Sequence, residues 1–340
     1  MREFEILARG LYHPDQLEIT YDPSLSMPIT PAIQEWMDTL WQQKLTTAQQ
    51  KGIPLYDVPL FRLIHAETRP NTQHKNTLVP VPPVGAGEGL RGEGTLGSPR
   101  ARRDNHPLVP PVGAGEGLRG EGTLGSPSAG AGSLHLTLGN TSYKEYVTTR
   151  EPSFAHNHAR EDLGNALSVC SVVETTDGHI LLDKRQGVDV YVGRYHVIGG
   201  FFERNLDTST TTATTATTAT SATNPDPFGA IRREIREETG IQAADIADQY
   251  CLGVVYDLAT PHAELCFLTR LNIPLDEVRQ RVPEEHEIKQ LLSLNVTEES
   301  LRDFILTNHG NISATGEPNL LLYGAEKFGK RWFEEIMGRL

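Results

Sequence analysis

The segment "REIREETGI" (233–241) places Glu234, Glu237 and Glu238 close together in a pattern that could do chemistry. Read as a helix over Phe228–Thr239, at about 100° per residue, it gathers Phe228, Ile231 and Ile235 into an apolar stripe about 60° wide. With Ile231 as zero, Glu238 falls about 20° to the other side, Glu234 and Glu237 lie beyond it, and Arg232, Arg233 and Arg236 take the far side. Three carboxylates therefore line one edge of a face that ought to be buried. Burying unpaired carboxylates side by side costs several kcal/mol each and adds repulsion, so such a cluster calls for a cation. Carboxylate oxygens are hard donors that suit Mg²⁺ (or Mn²⁺), ions that keep waters and leave positions open for substrate phosphates. The plainer reading is an exposed acidic face held by pairs such as Arg233–Glu237, each worth about 0.2–0.5 kcal/mol.

Other elements must position this helix. Upstream, "YHVIGGFFER" reads as a strand ending in the pair Gly199–Gly200, with Tyr195 and Phe201 beside it, either packing or stacking on a base or sugar. Between strand and helix lies the Thr/Ala tract Thr208–Pro227; Asn224, Pro225, Asp226 and Pro227 can start the helix cleanly, so the tract lengthens a loop without parting the glutamates. "ALSVCSVVETTDGHILLDKR" predicts two strands about a turn at Asp177–Gly178, and "CLGVVYDL" and "AELCFLTRLNI" predict two more. "EEHEIKQLLSLN" reads as a loop and strand, and the tail as helices. Strands alternating with helices indicate an α/β (α+β) fold.

Before this region, "TPAIQEWMDTLWQQKLTTAQQKG" predicts a helix with Pro31 in its first turn and Gly52 at its end. "LFRLIHAE" and "SLHLTLG" read as a hairpin whose connection carries two identical copies of "PPVGAGEGLRGEGTLGSP", a Gly/Pro-rich stretch expected to be disordered. The expected organisation is residues 1–150 as a small α/β region with an insertion at 68–133, residues 160–325 as a second domain with an insertion at 208–227, and a C-terminal helix at 326–340. His156 and His158 have a metal-like spacing but no Cys or third His beside them, which favours a linker.

A formal net charge of −13 and a pI near 5.4 argue against a general nucleic-acid binder, which needs a basic footprint. A small phosphorylated substrate is compatible, because a bound cation reverses the local sign. Cys170, Cys251 and Cys266 show no CxxC spacing, and the N-terminus lacks the apolar core of a signal peptide. No apolar run approaches membrane-spanning length. The expectation is a cytoplasmic protein with neither a nucleic-acid nor a membrane partner.

The residues also carry a family resemblance. Arg233, Glu234, Ile235, Glu237, Glu238, Gly240 and Ile241 match every specified position of the second half of the Nudix box, G-x5-E-x7-R-E-U-x-E-E-x-G-U, and "IGGFFE" is similar to its opening with Gly200 as the first glycine. The resemblance to Nudix hydrolases implies an α/β/α sandwich with a mixed sheet. It implies metal held by Glu234, Glu237 and Glu238, oriented by Arg233, and hydrolysis of a nucleoside diphosphate linked to another moiety. Two departures stand out: Leu206 occupies the position of the box's first glutamate, with Asp207 and Glu203 nearby, and "IGG" replaces "PGG". The segments "PLYDVPLFRL", "LGNTSYKEY", "VIGGFFE", "AELCFL", "PEEHE" and "LLLYG" are similar to a branch of the superfamily that splits UDP-glucose and UDP-galactose in animals. That branch has an N-terminal α/β region and an interrupted box. The likeness implies a nucleotide-sugar substrate, Glu264 as a further ligand or general base, and Gly199, Gly200, Glu203, Tyr195, His286 and Glu287 near the substrate. The alternatives are another nucleoside diphosphate derivative (ADP-ribose, a dinucleotide, an oxidised nucleotide) or a non-catalytic nucleotide-binding module.

Overall fold

The computed structural model describes residues 2–70, 132–186, 190–212, 221–284 and 290–340. The repeat, the middle of the Thr/Ala tract and the residues Glu285, His286 and Glu287 lie outside the described residues. The chain opens with strands β1 (Phe4–Tyr12) and β2 (Leu17–Tyr21) and helix α1 (Pro31–Lys51). Helix α1 begins where Thr30 accepts the Ile33 N–H at 3.3 Å, with Pro31 in the first turn, and it stops at Gly52, whose φ of 66° is a backbone state open to glycine without a Cβ clash. Strands β3 (Pro59–Arg69) and β4 (Ser133–Ser142), which flank the repeat, pair antiparallel as their sequences suggest; β2 adds to the other side of β4 in parallel. Two short helices, α2 (Tyr143–Thr149) and α3 (Pro152–Ala155), follow.

Next come β5 (Leu167–Glu174), β6 (His179–Lys184), β7 (Tyr195–His196) and β8 (Ile198–Phe201), then a two-stranded ribbon of β9 (Thr208–Thr212) and β10 (Ser221–Pro225). Helix α4 (Pro227–Thr239) leads into β11 (Ile246–Asp257), β12 (His262–Leu271), the single turn α5 (Leu275–Val278) and β13 (Leu291–Asn295). Helices α6 (Glu298–Thr307), α7 (Gly316–Phe328) and α8 (Lys330–Met337) close the chain. The main sheet runs β1-β11-β12-β5-β6-β13, with β8 beside β5 and β7 beside β6. It is mixed: β12 and β5 are parallel and their neighbours antiparallel.

Strands β5 and β12 are buried along nearly their whole length, as parallel neighbours covered on both faces must be. On one face Phe228, Ile231 and Ile235 of α4 pack with Val169, Leu265 and Phe267; on the other, Leu301, Leu320, Leu321 and Ile336 of α6–α8 pack with Cys170 and Leu268. This is a mixed α/β fold with helices on both faces of a mixed sheet, matching in coarse outline what the resemblance implied. No helix among the described residues is long and apolar enough to cross a membrane.

Two expected boundaries read differently in space. Strand β1 pairs antiparallel with β11, so residues from the expected 1–150 region complete the main sheet of the 160–325 region, and the chain on either side of the repeat forms one compact unit. Phe4 is buried in the core on one face of the sheet, and Ala8 and Tyr12, beyond the irregularity between Ile6 and Ala8, are buried in the core on the other, which holds the strand on the sheet. The expected terminal helix at 326–340 is two helices: α7 runs through Phe328 and the chain breaks at Gly329, with φ 92°.

Candidate active site

Helix α4 is placed by its own termini. Asp226 accepts the Gly229 N–H at 2.8 Å, Pro227 occupies the first turn, and Gly240 ends the helix at φ 76°. Its apolar stripe is buried as the phasing requires, with Phe228 edge-on to Phe267 at 5.1 Å between ring centres. The edge beside that stripe lies against β8. A Cβ on Gly200 would come within 2.5 Å of the Glu234 carboxylate, so the bare backbone there makes room for the acid. The Gly199 N–H donates to Glu238 Oε2 at 3.2 Å, and a Cβ on Gly199 would meet the Val169 carbonyl oxygen at 2.2 Å.

Arg233 organises the remaining acids. The phasing sent this residue to the far side, but its long side chain folds back to the glutamate edge. Its Nε and Nη2 donate to the two oxygens of Asp207 at 2.9 and 2.8 Å, and Nη2 also reaches the Phe201 carbonyl at 3.1 Å. Its Nη1 lies 2.9 Å from both Glu237 Oε2 and Glu234 Oε1. Burial alone would lower the Arg233 pKa, but Asp207, Glu234 and Glu237 raise it instead, so the guanidinium stays charged. Asp207, with its side chain 2% exposed, also accepts the Glu203 N–H at 2.8 Å. Thus Asp207 supplies the acid beside this arginine, while Leu206 is 58% exposed on the wall of the cleft. Glu203 contributes its backbone to that contact, and the residue lines the cleft.

Glu264, on β12, is 3% exposed, and burial pushes its carboxyl above the ordinary range although His262 and Thr315 pull the other way. Its Oε1 stands 3.9 Å from His196 Nε2, and its Oε2 is buried without a hydrogen-bond partner. His196 is held well below its usual pKa by burial and then by Arg185, so the imidazole is neutral and the contact with Glu264 is not an ion pair. Its Nδ1 shares a 2.6 Å hydrogen bond with Ser313 Oγ.

These side chains border one cleft of about 1160 Å³, which Phe201, Tyr143, Tyr146 and Arg150 also line. Among the described residues no three Asp, Glu, His or Cys side chains stand close enough together to hold an ion. The reason is visible: Glu234 and Glu237 turn to Arg233, and Glu238 turns to the Gly199 N–H. The donors themselves suit a hard divalent cation. Carboxylates of Glu234, Glu237, Glu238 and Glu264 face one space, and an unpartnered buried carboxylate oxygen is what a cation satisfies.

Tyr195 is elsewhere. Its ring packs edge-on against Phe304 at 5.2 Å and is absent from the cleft wall, because successive residues of a strand face opposite ways and it is His196 that points inward. His158 stacks on Phe154 at 3.7 Å and its Nδ1 meets the Phe154 carbonyl oxygen, as a linker histidine would. His286 and Glu287 lie outside the described residues. Sequence reading missed His196, Asp183, Arg185, Ser313 and Thr315, which all line the cleft. Only His196 had a signal, its place three residues before Gly199.

No family model and no curated protein matches the chain. Among solved structures, it is similar over 48% of its length to the bifunctional NMN adenylyltransferase/ADP ribose pyrophosphatase of Francisella tularensis, solved with AMP and a manganese ion (14% identity, TM-score 0.30), and it spans only 42% of that chain. Over 48% of its length it is similar to the MutT protein of Methanosarcina mazei Go1 (17% identity, TM-score 0.29), covering 95% of that chain. Over 50% it is similar to a protein of Chromobacterium violaceum assigned to the nudix hydrolase family (18% identity, TM-score 0.27), covering 85% of that chain. The chain is thus similar, at low identity and over about half its length, to these three solved structures, one of them assigned to the nudix hydrolase family.

Proposed function

We propose that this chain is a divalent-metal-dependent hydrolase of nucleoside diphosphate derivatives, and that its substrate is UDP-glucose or UDP-galactose, cleaved to UMP and the sugar 1-phosphate. The observation that carries the hydrolase reading is the edge of α4. There Arg233 holds Glu234 and Glu237, and the Gly199 N–H holds Glu238, in a cleft that also receives Glu264. A set of acids pinned from both sides is preorganised, so little reorganisation is left for the reacting complex. Glu234, Glu237 and Glu238 would hold Mg²⁺ or Mn²⁺, with Glu264 as a further ligand or as the base for the attacking water. When bound, the metal neutralises charge on the diphosphate oxygens and acidifies a water. Gly200, lacking a side chain, lets the Glu234 carboxylate pack directly against the strand backbone. Support for the UDP-hexose comes from segments outside the box. "LGNTSYKEY" supplies Tyr143 and Tyr146 of the cleft wall, and "AELCFL" supplies Glu264.

The test is a panel of nucleotide sugars, ADP-ribose and dinucleotides incubated with Mg²⁺, with products resolved by phosphorus NMR. Release of UMP and hexose 1-phosphate is the expected result. Fast cleavage of ADP-ribose with no turnover of any UDP-hexose would replace the substrate. Turnover of nothing, with nucleotide still bound, would make the chain a binding module.

A further inference from the structure

Five buried side-chain atoms among the described residues have no hydrogen-bond partner, and two of them belong to residues lining the cleft: Glu264 Oε2 and Asp183 Oδ1. Both are carboxylate oxygens, which accept hydrogen bonds and donate none at neutral pH. Glu264 is accounted for by the metal and base chemistry proposed above. Asp183 is not, because it stands on β6, whose neighbour at this end is β7, and it pairs across that ladder with His196. The His196 Nδ1 is committed to Ser313 Oγ, and the nearby Arg185 spends its Nε on the Val190 carbonyl. A buried acceptor left in this state is costly unless a ligand brings a donor to it.

The order of groups along residues 195–201 says which part of a ligand that is. His196 begins this stretch beside Asp183, Gly199 and Gly200 follow under Glu238 and Glu234, and Phe201 ends it 5.5 Å from the Tyr143 ring. The five steps from His196 to Phe201 span at most about 17 Å of extended chain, so the cleft presents acceptors, then acids, then aromatic rings in sequence. A diphosphate over the acids puts a planar base against Phe201 and Tyr143 and the other half of the substrate against Asp183. Tyr191, which also lines the cleft, is a poor stacking platform: the Arg194 guanidinium covers its ring at 4.7 Å and its hydroxyl donates to Asp257 at 2.7 Å.

We propose that Asp183 is a specificity residue whose carboxylate accepts hydrogen bonds from hydroxyl groups on the glycosyl half of the substrate. This rests on the nucleotide-sugar reading of the same cleft. Burial pushes the Asp183 carboxyl up to about 6, against the opposing pull of Arg185, which is the mark of an acceptor short of donors.

The experiment uses the full chain and two substrates that share nucleotide and diphosphate, UDP-glucose and the methyl ester of UDP, which has no hexose. Asp183→Ala should raise KM for UDP-glucose about 10-fold or more with kcat little changed, and leave the methyl ester within about twofold. Asp183→Asn, which keeps one acceptor oxygen and the side-chain size, should fold like the parent and lose less. An equal rise with both substrates would mean that Asp183 meets the nucleotide, through the N–H of its base, and would overturn the proposal; no change with either would do the same. Calorimetric binding of glucose 1-phosphate against inorganic phosphate separates this idea from the hydrolytic reading. If the parent hydrolyses no nucleoside diphosphate, that reading fails, yet an approximately 10-fold weaker hold on glucose 1-phosphate alone in Asp183→Ala still supports the subsite. Unchanged glucose 1-phosphate binding would refute it.

Discussion

Asp207→Asn tests whether one residue past the expected box position can serve the arginine. Asp207 accepts three hydrogen bonds, from Arg233 Nε at 2.9 Å, Arg233 Nη2 at 2.8 Å and the Glu203 N–H at 2.8 Å, with its side chain 2% exposed. Breaking a buried pair by removing one charge costs about 3–5 kcal/mol. Here Arg233 keeps Glu234, Glu237 and the Phe201 carbonyl, and its side chain is 14% exposed, so a loss of about 2–3 kcal/mol is expected. Urea unfolding reads this directly: with a slope of about 2–3 kcal/mol per molar for a chain of this size, the midpoint should fall by about 1 M. The Arg233 fork also fixes Glu234 and Glu237, so turnover should drop about 10-fold in the folded variant. Leu206→Glu is the paired control. Its side chain is 58% exposed and makes none of the Arg233 contacts, so the substitution should change stability by no more than about 0.5 kcal/mol and should not rescue Asp207→Asn. A neutral Asp207→Asn, or rescue by Leu206→Glu, would refute the assignment.

Two further outcomes follow from the same geometry. Glu238→Gln keeps an oxygen for the Gly199 N–H and removes the charge, so metal-dependent turnover should fall more than about 100-fold while the urea midpoint barely moves; an unchanged rate would remove Glu238 from the reacting centre. Asp183 titrates near 6 when folded against 3.8 for the free side chain, so the folded state holds its proton more tightly. Its contribution to stability is therefore full below about pH 4 and is lost as pH rises through 6, by about 1–2 kcal/mol once solvent screening is allowed for. Urea midpoints compared between pH 4 and 7 should show this loss in the parent and less of it in Asp183→Asn, and equal losses would show that other groups carry it.

The parts that local pattern controls were legible in the sequence. Helix α4, its caps and its apolar stripe follow from 3.6-residue periodicity and the residues at its ends, and the β3–β4 pairing follows from alternation on both sides of the repeat. What escaped depends on reach or on long-range partners. Phasing gives the direction of a Cα–Cβ bond, and Arg233 is long enough to overrule it. In the two-residue strand β7 neighbouring residues face opposite ways, and an aromatic ring near the glycines does not reveal its direction: Tyr195 packs on Phe304 and His196 lines the cleft. Strand β1 meets β11 from the far end of the sequence, and Ser313 reaches His196 from the loop before α7; no local pattern encodes either. Asp207 lay in plain view beside the vacant box position, but its role required knowing where the arginine went.

The Thr/Ala tract interrupts the motif between its glycines and its glutamates, and the structure explains how this is tolerated. The Asp226 N–H donates to the Asp207 carbonyl at 2.9 Å, and Pro225 stands opposite Thr208, so the chain leaves and returns at one place. The acid that serves Arg233 lies just before the ribbon, and the cap of α4 lies just after it. The described contacts of the glutamate edge thus lie on either side of the ribbon's base, and its length is expected to be free. Replacing residues 213–220 by Asn-Gly, a turn suited to two paired strands, would join Thr212 to its partner Ser221 directly. Shortening the connection from eight residues to two reduces closure entropy by about 1 kcal/mol, so stability should rise slightly or hold. Turnover should stay within about twofold of the parent. A loss of activity in a variant that unfolds at the parent's urea concentration would mean that the tract itself reaches the substrate, and the view of it as a spacer would fall.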